Sequence, residues 1–173
     1  MSLGSQVVDT ESAEEFMRET LEAVSSEDFS AISALLATKS EGFGALLGAP
    51  GRARALERAD LHRVLRSVFS SRRKADVLID GVGFERLGAG IDDLLHGPDE
   101  LPARFEAFDA LLAGHPDPGF DLPSELLHFT APDRYWLWTR WMWDPHNETG
   151  ALRLVTMDGY DLRARTFGEM YLK

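Results

Sequence analysis

The sequence predicts a mainly α-helical fold, a single helical domain with at most one or two short strands. Three observations support this fold class. Apolar residues recur at helical spacing through most of the chain. Glycine and proline cluster between these stretches, and the regular alternation of strands and helices that a parallel sheet requires is missing. With 173 residues, 44% of them apolar, the chain is long enough to bury a sizeable core.

The N-terminal half is predicted to contain three helices. Residues 9–24 form the first, capped by Asp9 or Thr10, and the second follows Ser26. Residues 39–52 are predicted to be a loop or a broken helix, and Arg54–Ser71 is the clearest helix. The apolar side chains expected to be buried are Phe16, Met17, Leu21 and Val24 in the first helix, Phe29, Ile32, Leu35 and Leu36 in the second, and Leu56, Leu61, Val64, Leu65, Val68 and Phe69 in the third.

The C-terminal half is also predicted to be mostly helical. Helices are expected over residues 85–96, 99–113, 122–129 and 160–172, with Phe105, Phe108, Leu111 and Leu112 facing inward. His115–Gly119 is predicted to be a turn. Val77–Ile79 fits either a brief strand or the end of a helix, and Ala151–Thr156 fits one strand. The last predicted helix reaches Lys173 without a cap, which favours a natural chain that continues further.

Composition restricts the cellular compartments and the classes of partner that are expected. The chain has no cysteine, which excludes disulfides, thiolate metal sites and cysteine nucleophiles and favours a reducing cytoplasm. No apolar run approaches the ~20 residues that span a bilayer, so no membrane partner is expected. Residues 1–5 are typical of a vector-derived start, leaving residues 6–173 as the helical domain. A net charge of −11 disfavours nucleic acid and anionic membranes on average.

One local cluster is basic although the chain as a whole is acidic. It consists of Arg63, Arg66, Arg72, Arg73 and Lys74, at the end of a predicted helix and just beyond it. Cations complement the macrodipole at a helix C-terminus, so a solvated helix end is the simpler interpretation. The alternative is a nucleic-acid contact. The nearby turn at Gly81-Val-Gly83 is only superficially similar to a nucleotide loop, because Arg86 stands where the third glycine is needed.

No recognisable catalytic motif is present, and whether the protein is an enzyme stays open. The chain has neither a Gly-x-Ser-x-Gly elbow nor a His-x₃-His pair, so no catalytic residue, metal ligand or cofactor is predicted. His128 is expected to be a hydrogen-bonded core histidine. The adjacent carboxylates Asp92-Asp93 and Asp99-Glu100 do not face each other on a helix and are expected to be solvated surface.

All four tryptophans lie within residues 136–143, a density that no other stretch approaches. Each aromatic side chain can bury roughly 150–250 Å², so this segment forms either part of the core or an exposed binding surface. The functional interpretation is an aromatic-lined pocket or partner surface at residues 134–144. Its predicted ligand-binding residues are Arg134, Trp136, Trp138, Arg140, Trp141 and Trp143.

Leu126-Leu-His-Phe129, followed by Pro132-Asp-Arg-Tyr135, resembles part of the helix-hairpin-helix DNA glycosylase superfamily, over about residues 119–141. Such enzymes have a lysine where this chain has Glu125 and a catalytic aspartate where it has Thr139. Without that lysine no Schiff base can form, and without the aspartate no carboxylate stabilises an oxocarbenium ion. The resemblance therefore implies a relative that has lost the chemistry.

Two functions from different classes follow. The first is a non-catalytic helical protein that binds a small molecule or a protein partner through residues 134–144. Such a protein could also form a homo-oligomer. The second is a nucleic-acid-binding relative of the glycosylases that contacts DNA through residues 63–74 or the Gly81–Gly83 turn.

Overall fold

The computed structural model describes residues 7–115 and 119–173 and confirms the mainly α-helical fold class. Within these ranges the only β pairings are two isolated bridges, Val8 with Thr156 and Asp144 with Thr149. The helices are α1 (Thr10–Ala23), α2 (Ser26–Leu47), a 3₁₀ turn (Ala53–Ala55), α3 (Arg58–Ser67), α4 (Ala75–Val82), α5 (Phe84–His96), α6 (Leu101–Leu112), α7 (Asp121–Thr130), α8 (Leu152–Val155) and α9 (Phe167–Tyr171).

Helix α7 lies at the centre of the packing. Eight of its ten residues are buried, and it packs on α2 and on α5. Helix α6 packs on the other side of α5 and against α9. A helix that is buried on nearly all sides loses water from its polar side chains as well, so each of these must find a partner inside the protein.

The first two helices differ from the prediction. Helix α1 begins after the predicted cap Asp9, whose carboxylate accepts the backbone N–H of Glu11 and of Ser12. It packs on α8 and buries none of its residues. Helix α2 runs on to Leu47, so the predicted loop over 39–52 is wrong for its first half. The predicted buried side chains that are instead exposed are Met17, Leu21, Phe29, Ile32, Leu35 and Leu36. Their spacing is helical, but no described element covers them.

The predicted third helix is divided in two. Its first residues form the 3₁₀ turn, and α3 ends at Ser67, where Val68 takes an extended conformation. The Ser71 hydroxyl donates to the Leu65 carbonyl at 2.7 Å and closes the turn that follows. This turn keeps Val68 buried but exposes Phe69, which was predicted to be buried. A helical periodicity cannot reveal such a break, because Val68 and Phe69 fit the same stripe.

The short elements of the C-terminal half are helices rather than strands. Val77–Ile79 lies inside α4, and within the strand predicted over 151–156 the residues Leu152–Val155 form the single turn α8. Gly83 joins α4 to α5 at φ 93°, a left-handed conformation that favours glycine. Of the predicted helix over 160–172 only α9 forms. The predicted turn at 115–119 lies largely outside the described residues. No helix in the described ranges combines the length and apolarity needed to cross a membrane.

Candidate functional site

The tryptophan segment, residues 134–144, is neither helix nor strand. It runs along α7 and is tied to it by three polar side chains of that helix. Asp121 accepts the backbone N–H of Arg140 at 2.8 Å, and Ser124 Oγ accepts that of Trp138 at 2.7 Å. His128 Nδ1 lies 2.8 Å from the carbonyl oxygen of Tyr135 and so carries the hydrogen. Because these contacts run in opposite order along the two elements, the segment lies antiparallel to the helix.

Further contacts hold the segment at both ends. The Tyr171 hydroxyl of α9 donates to the Trp136 carbonyl at 2.7 Å, and burial raises the pKa of Tyr171. The backbone N–H of Ala151 donates to the Trp141 carbonyl at 3.0 Å. At the C-terminal end, hydrogen bonds from the side chain of Asn147 and from the backbone N–H of His146 hold the pKa of Asp144 below its ordinary value.

The four tryptophans divide into two buried and two exposed residues. Trp138 and Trp143 are 7% and 0% exposed and belong to the core. Trp136 and Trp141 are 79% and 81% exposed. The indole N–H groups of the buried pair have no hydrogen-bond partner among the described residues. The segment is therefore both a core element and a surface. Residues two apart share one face in a regular strand, so this division results from the irregular path of the segment.

A cavity of about 400 Å³ opens beside Trp141. Its walls come from α7, from the tryptophan segment and from the turn after α3. Its volume lies within the range of about 300–1,000 Å³ that is usual for small-molecule sites. The lining residues are Phe69, Ser70, Asp121, Glu125, Thr139, Arg140 and Trp141.

Both carboxylates of the cavity are buried and each is held by a cation. Asp121 Oδ2 accepts Arg140 Nε at 3.3 Å, while Oδ1 accepts the backbone N–H of the same residue. Glu125 Oε2 lies 2.5 Å from Lys39 Nζ. Lys39 reaches this point from α2 and also lies 3.9 Å from the ring centroid of Phe129. These two pairs leave the cavity wall without net charge.

The rim and one wall of the cavity offer groups to a ligand. Trp141 and Phe69 are both largely exposed, and exposed apolar rings that line a cavity together are typical of a ligand-binding groove. The Ser70 Oγ is inaccessible to solvent and has no hydrogen-bond partner in the described part of the chain. A neutral planar molecule with a polar edge matches this set of groups.

The predicted site residues are distributed over three places. Arg140 and Trp141 line the cavity. Trp138 and Trp143 lie beneath it in the core. Arg134 and Trp136 lie at the other end of the segment, where the Arg134 guanidinium stacks 5.2 Å from the ring centroid of Tyr135.

Sequence reasoning missed the other five lining residues, and for two of them a signal existed. Glu125 lies inside the predicted helix over 122–129 and Asp121 directly precedes it, four residues away, so the two share one face once the helix begins at Asp121. They stand next to or within a mostly apolar stretch, Leu122-Pro-Ser-Glu-Leu-Leu127, where a carboxylate must find a partner once buried. Phe69, Ser70 and Thr139 come from loops, and nothing in the sequence places them here.

A larger depression of about 560 Å³ lies between α6 and residues 163–170. Its charged groups are engaged at the surface: the Arg165 side chain holds the pKa of Glu169 below its ordinary value, and Arg163 does the same for Asp161. It contains none of the predicted site residues. In the described ranges no three histidine or carboxylate side chains are grouped to hold a metal ion.

Several other polar groups singled out in the sequence have structural contacts. Asp92 was predicted to be solvated, which is wrong: it is buried and accepts the backbone N–H of Gly51 at 2.8 Å and Arg54 Nε at 3.2 Å. Asp93 binds Arg54 at 2.5 Å, and these hydrogen bonds raise the pKa of Arg54. In the basic cluster, Arg63 pairs with Asp60 at 3.0 Å, and the Arg72 guanidinium lies 4.7 Å from the ring centroid of Phe69.

The chain matches no known family model, no curated protein and no solved structure. Its function is therefore inferred from the geometry of this cavity and its surroundings.

Proposed function

We propose that this chain is a binding protein, without catalytic activity, that holds a small, planar, uncharged molecule in the cavity beside Trp141. The observation that carries the proposal is the combination of two exposed rings, Trp141 and Phe69, with an inner wall of paired charges. The rings supply the apolar contact area, and the buried polar groups fix orientation. A cytoplasmic location belongs to the same proposal and is supported by the absence of cysteine.

The paired carboxylates support binding rather than chemistry. Asp121 and Glu125 are each engaged by a cation, and Asp121 also accepts a backbone N–H. These contacts preorganise both groups as a rigid wall, because breaking either ion pair would leave an uncompensated charge in a poorly solvated place. The Ser70 Oγ has no hydrogen-bond partner in the described part of the chain, and it would bond the ligand once its side chain turns towards the cavity.

The test is a ligand-observed NMR screen of flat heteroaromatic fragments, such as nucleobases and indoles, against the wild type and two variants. Trp141→Ala removes the ring at the cavity, and Trp136→Ala removes an equally exposed ring away from it. We expect Trp141→Ala to weaken binding of a hit at least about 10-fold and Trp136→Ala to leave it unchanged. Equal losses in both variants would contradict the proposal and favour a protein-partner surface along the segment.

A nucleic-acid-binding function is the second candidate, and one observation favours it. The exposed ring of Phe69 links the cavity to the basic cluster, because Arg72 stacks on that ring. An aromatic platform beside cations is how single strands are bound without sequence preference. Glu125 and Thr139, the positions singled out by the glycosylase resemblance, also line this one cavity.

This candidate predicts binding of a short single-stranded oligonucleotide that weakens as salt rises. The charge-removing variant Arg72→Gln should lower the affinity, whereas Arg18→Gln, an exposed arginine on α1, should not. No binding at low salt, measured by fluorescence anisotropy, would exclude it.

A further inference from the structure

The first half of α2 projects beyond the body of the protein. We define residues 26–38 of this helix as the overhang, and every one of them is exposed. The large apolar side chains of the overhang are Phe29, Ile32, Leu35 and Leu36, which are 45–71% exposed. Thirteen helical residues extend about 20 Å, so the overhang presents a continuous apolar ridge rather than scattered side chains.

This ridge continues a face that the same helix buries further along. Phe29, Leu36 and Phe43 are seven residues apart and so lie on one side of α2. Phe43 is buried in the core, while the other two are exposed. The apolar pattern thus runs about three turns past Lys39, where α2 first becomes partly buried.

Beyond Glu27 and Asp28 in its first turn, the overhang is free of charge. Residues 29–38 contain no charged side chain, although the whole chain has a net charge of −11. In a two-fold interface each surface patch meets its own copy, so a charged patch would repel itself and a neutral apolar one would not. Two copies of so acidic a protein can approach closely at this place without that cost.

A groove beside the overhang gives the second copy a place to insert a side chain. It measures about 320 Å³ and lies between α2 and α3, with Leu35, Phe43, Leu46 and Val64 among its lining residues. In an antiparallel pairing centred between Ser33 and Ala34, Phe29 of each copy lies level with Thr38 of the other, a residue that lines this groove. A ring inserted into an apolar pocket is the usual anchor of an interface.

We infer that the overhang is the interface of a homodimer, in which two copies pair their residues 29–38 antiparallel about a two-fold axis. The inference does not depend on the ligand cavity, whose lining residues lie elsewhere. The ridge alone is smaller than the about 800 Å² per partner of a standard interface, so the groove is needed and the dimer is expected to dissociate on dilution.

The test is sedimentation velocity of the full chain over a range of concentrations. The variants Phe29→Glu and Leu36→Glu place a carboxylate on the ridge, and Val77→Glu does so on α4 at a comparably exposed position. We expect the wild type and Val77→Glu to dimerise, and each ridge variant to weaken dimerisation at least about 100-fold. All three substituted side chains are exposed, and unchanged far-UV circular dichroism would verify the fold.

A second measurement keeps the ridge intact. Because the chain has no cysteine, Ser33→Cys gives one thiol at the centre of the overhang, and a short bismaleimide should cross-link two copies through it. Val77→Cys is the control and should stay uncross-linked. A wild type that is monomeric at every concentration, or a dimer that the ridge variants leave intact, would overturn the inference.

Discussion

At the residue scale, the tryptophans show how neighbouring side chains of one type take opposite roles. Trp138 is covered on the side of α7, while Trp136, two residues earlier, is exposed. Both residues have a backbone group held by a hydrogen bond, to Ser124 and to Tyr171 respectively. The hydrogen-bonded backbone therefore sets the path of the segment. Each indole then packs in the core or lies at the surface, depending on which side of the segment it is on.

Substitution of these two residues should separate the roles. Trp138→Ala should lower the free energy of unfolding by about 3–5 kcal/mol, because it leaves a cavity in the core. Trp136→Ala should change it by no more than about 0.5 kcal/mol, as for other exposed sites. Urea denaturation followed by circular dichroism measures both. Similar losses in the two variants would mean that Trp136 is also covered.

At the scale of elements, α7 positions the site because its side chains form hydrogen bonds with the backbone of the tryptophan segment. A segment without helix or sheet partners must satisfy its backbone groups elsewhere, and Asp121, Ser124 and His128 supply three of the contacts. Asp121 also lines the cavity, so one side chain both holds the segment and forms part of the site. The shape of the cavity thus depends on these hydrogen bonds.

Removal of one of these hydrogen bonds should lower the free energy of unfolding by a measurable amount. Ser124→Ala leaves the buried N–H of Trp138 without an acceptor, which should cost about 1–3 kcal/mol of stability. The matched control is Ser30→Ala on the exposed face of α2, where the hydroxyl bonds only its own helix and the cost should be near zero. Chemical denaturation gives both values. If the two serines behave alike, the Ser124 contact does not hold the segment.

At the scale of the whole molecule, the sequence predicted the fold class and most helix positions but not which faces are covered. Helical periodicity identifies an apolar stripe, and Phe105 and Phe108 on α6 are buried as expected. The same periodicity in Phe29 and Ile32 predicted burial that does not occur, since a stripe says nothing about what lies opposite it. An apolar ridge without a partner in its own chain is what an interface with another chain requires.

The candidate site was predictable only in part. Aromatic density singled out Arg140 and Trp141, which line the cavity. Burial of Trp138 and Trp143 was not predictable, because which side chains of an irregular segment are buried depends on its hydrogen bonds to α7. Phe69 and Ser70 come from far along the chain and reach the cavity only because α3 ends at Ser67.

The most direct test of the central claim is a titration of ¹⁵N-labelled wild-type protein with the best fragment from the screen, followed through the four indole N–H signals. We expect the Trp141 signal to shift with saturation while the Trp136 signal stays in place. Movement of Trp136 alone, or of none of the four, would show that the cavity beside Trp141 does not hold the ligand.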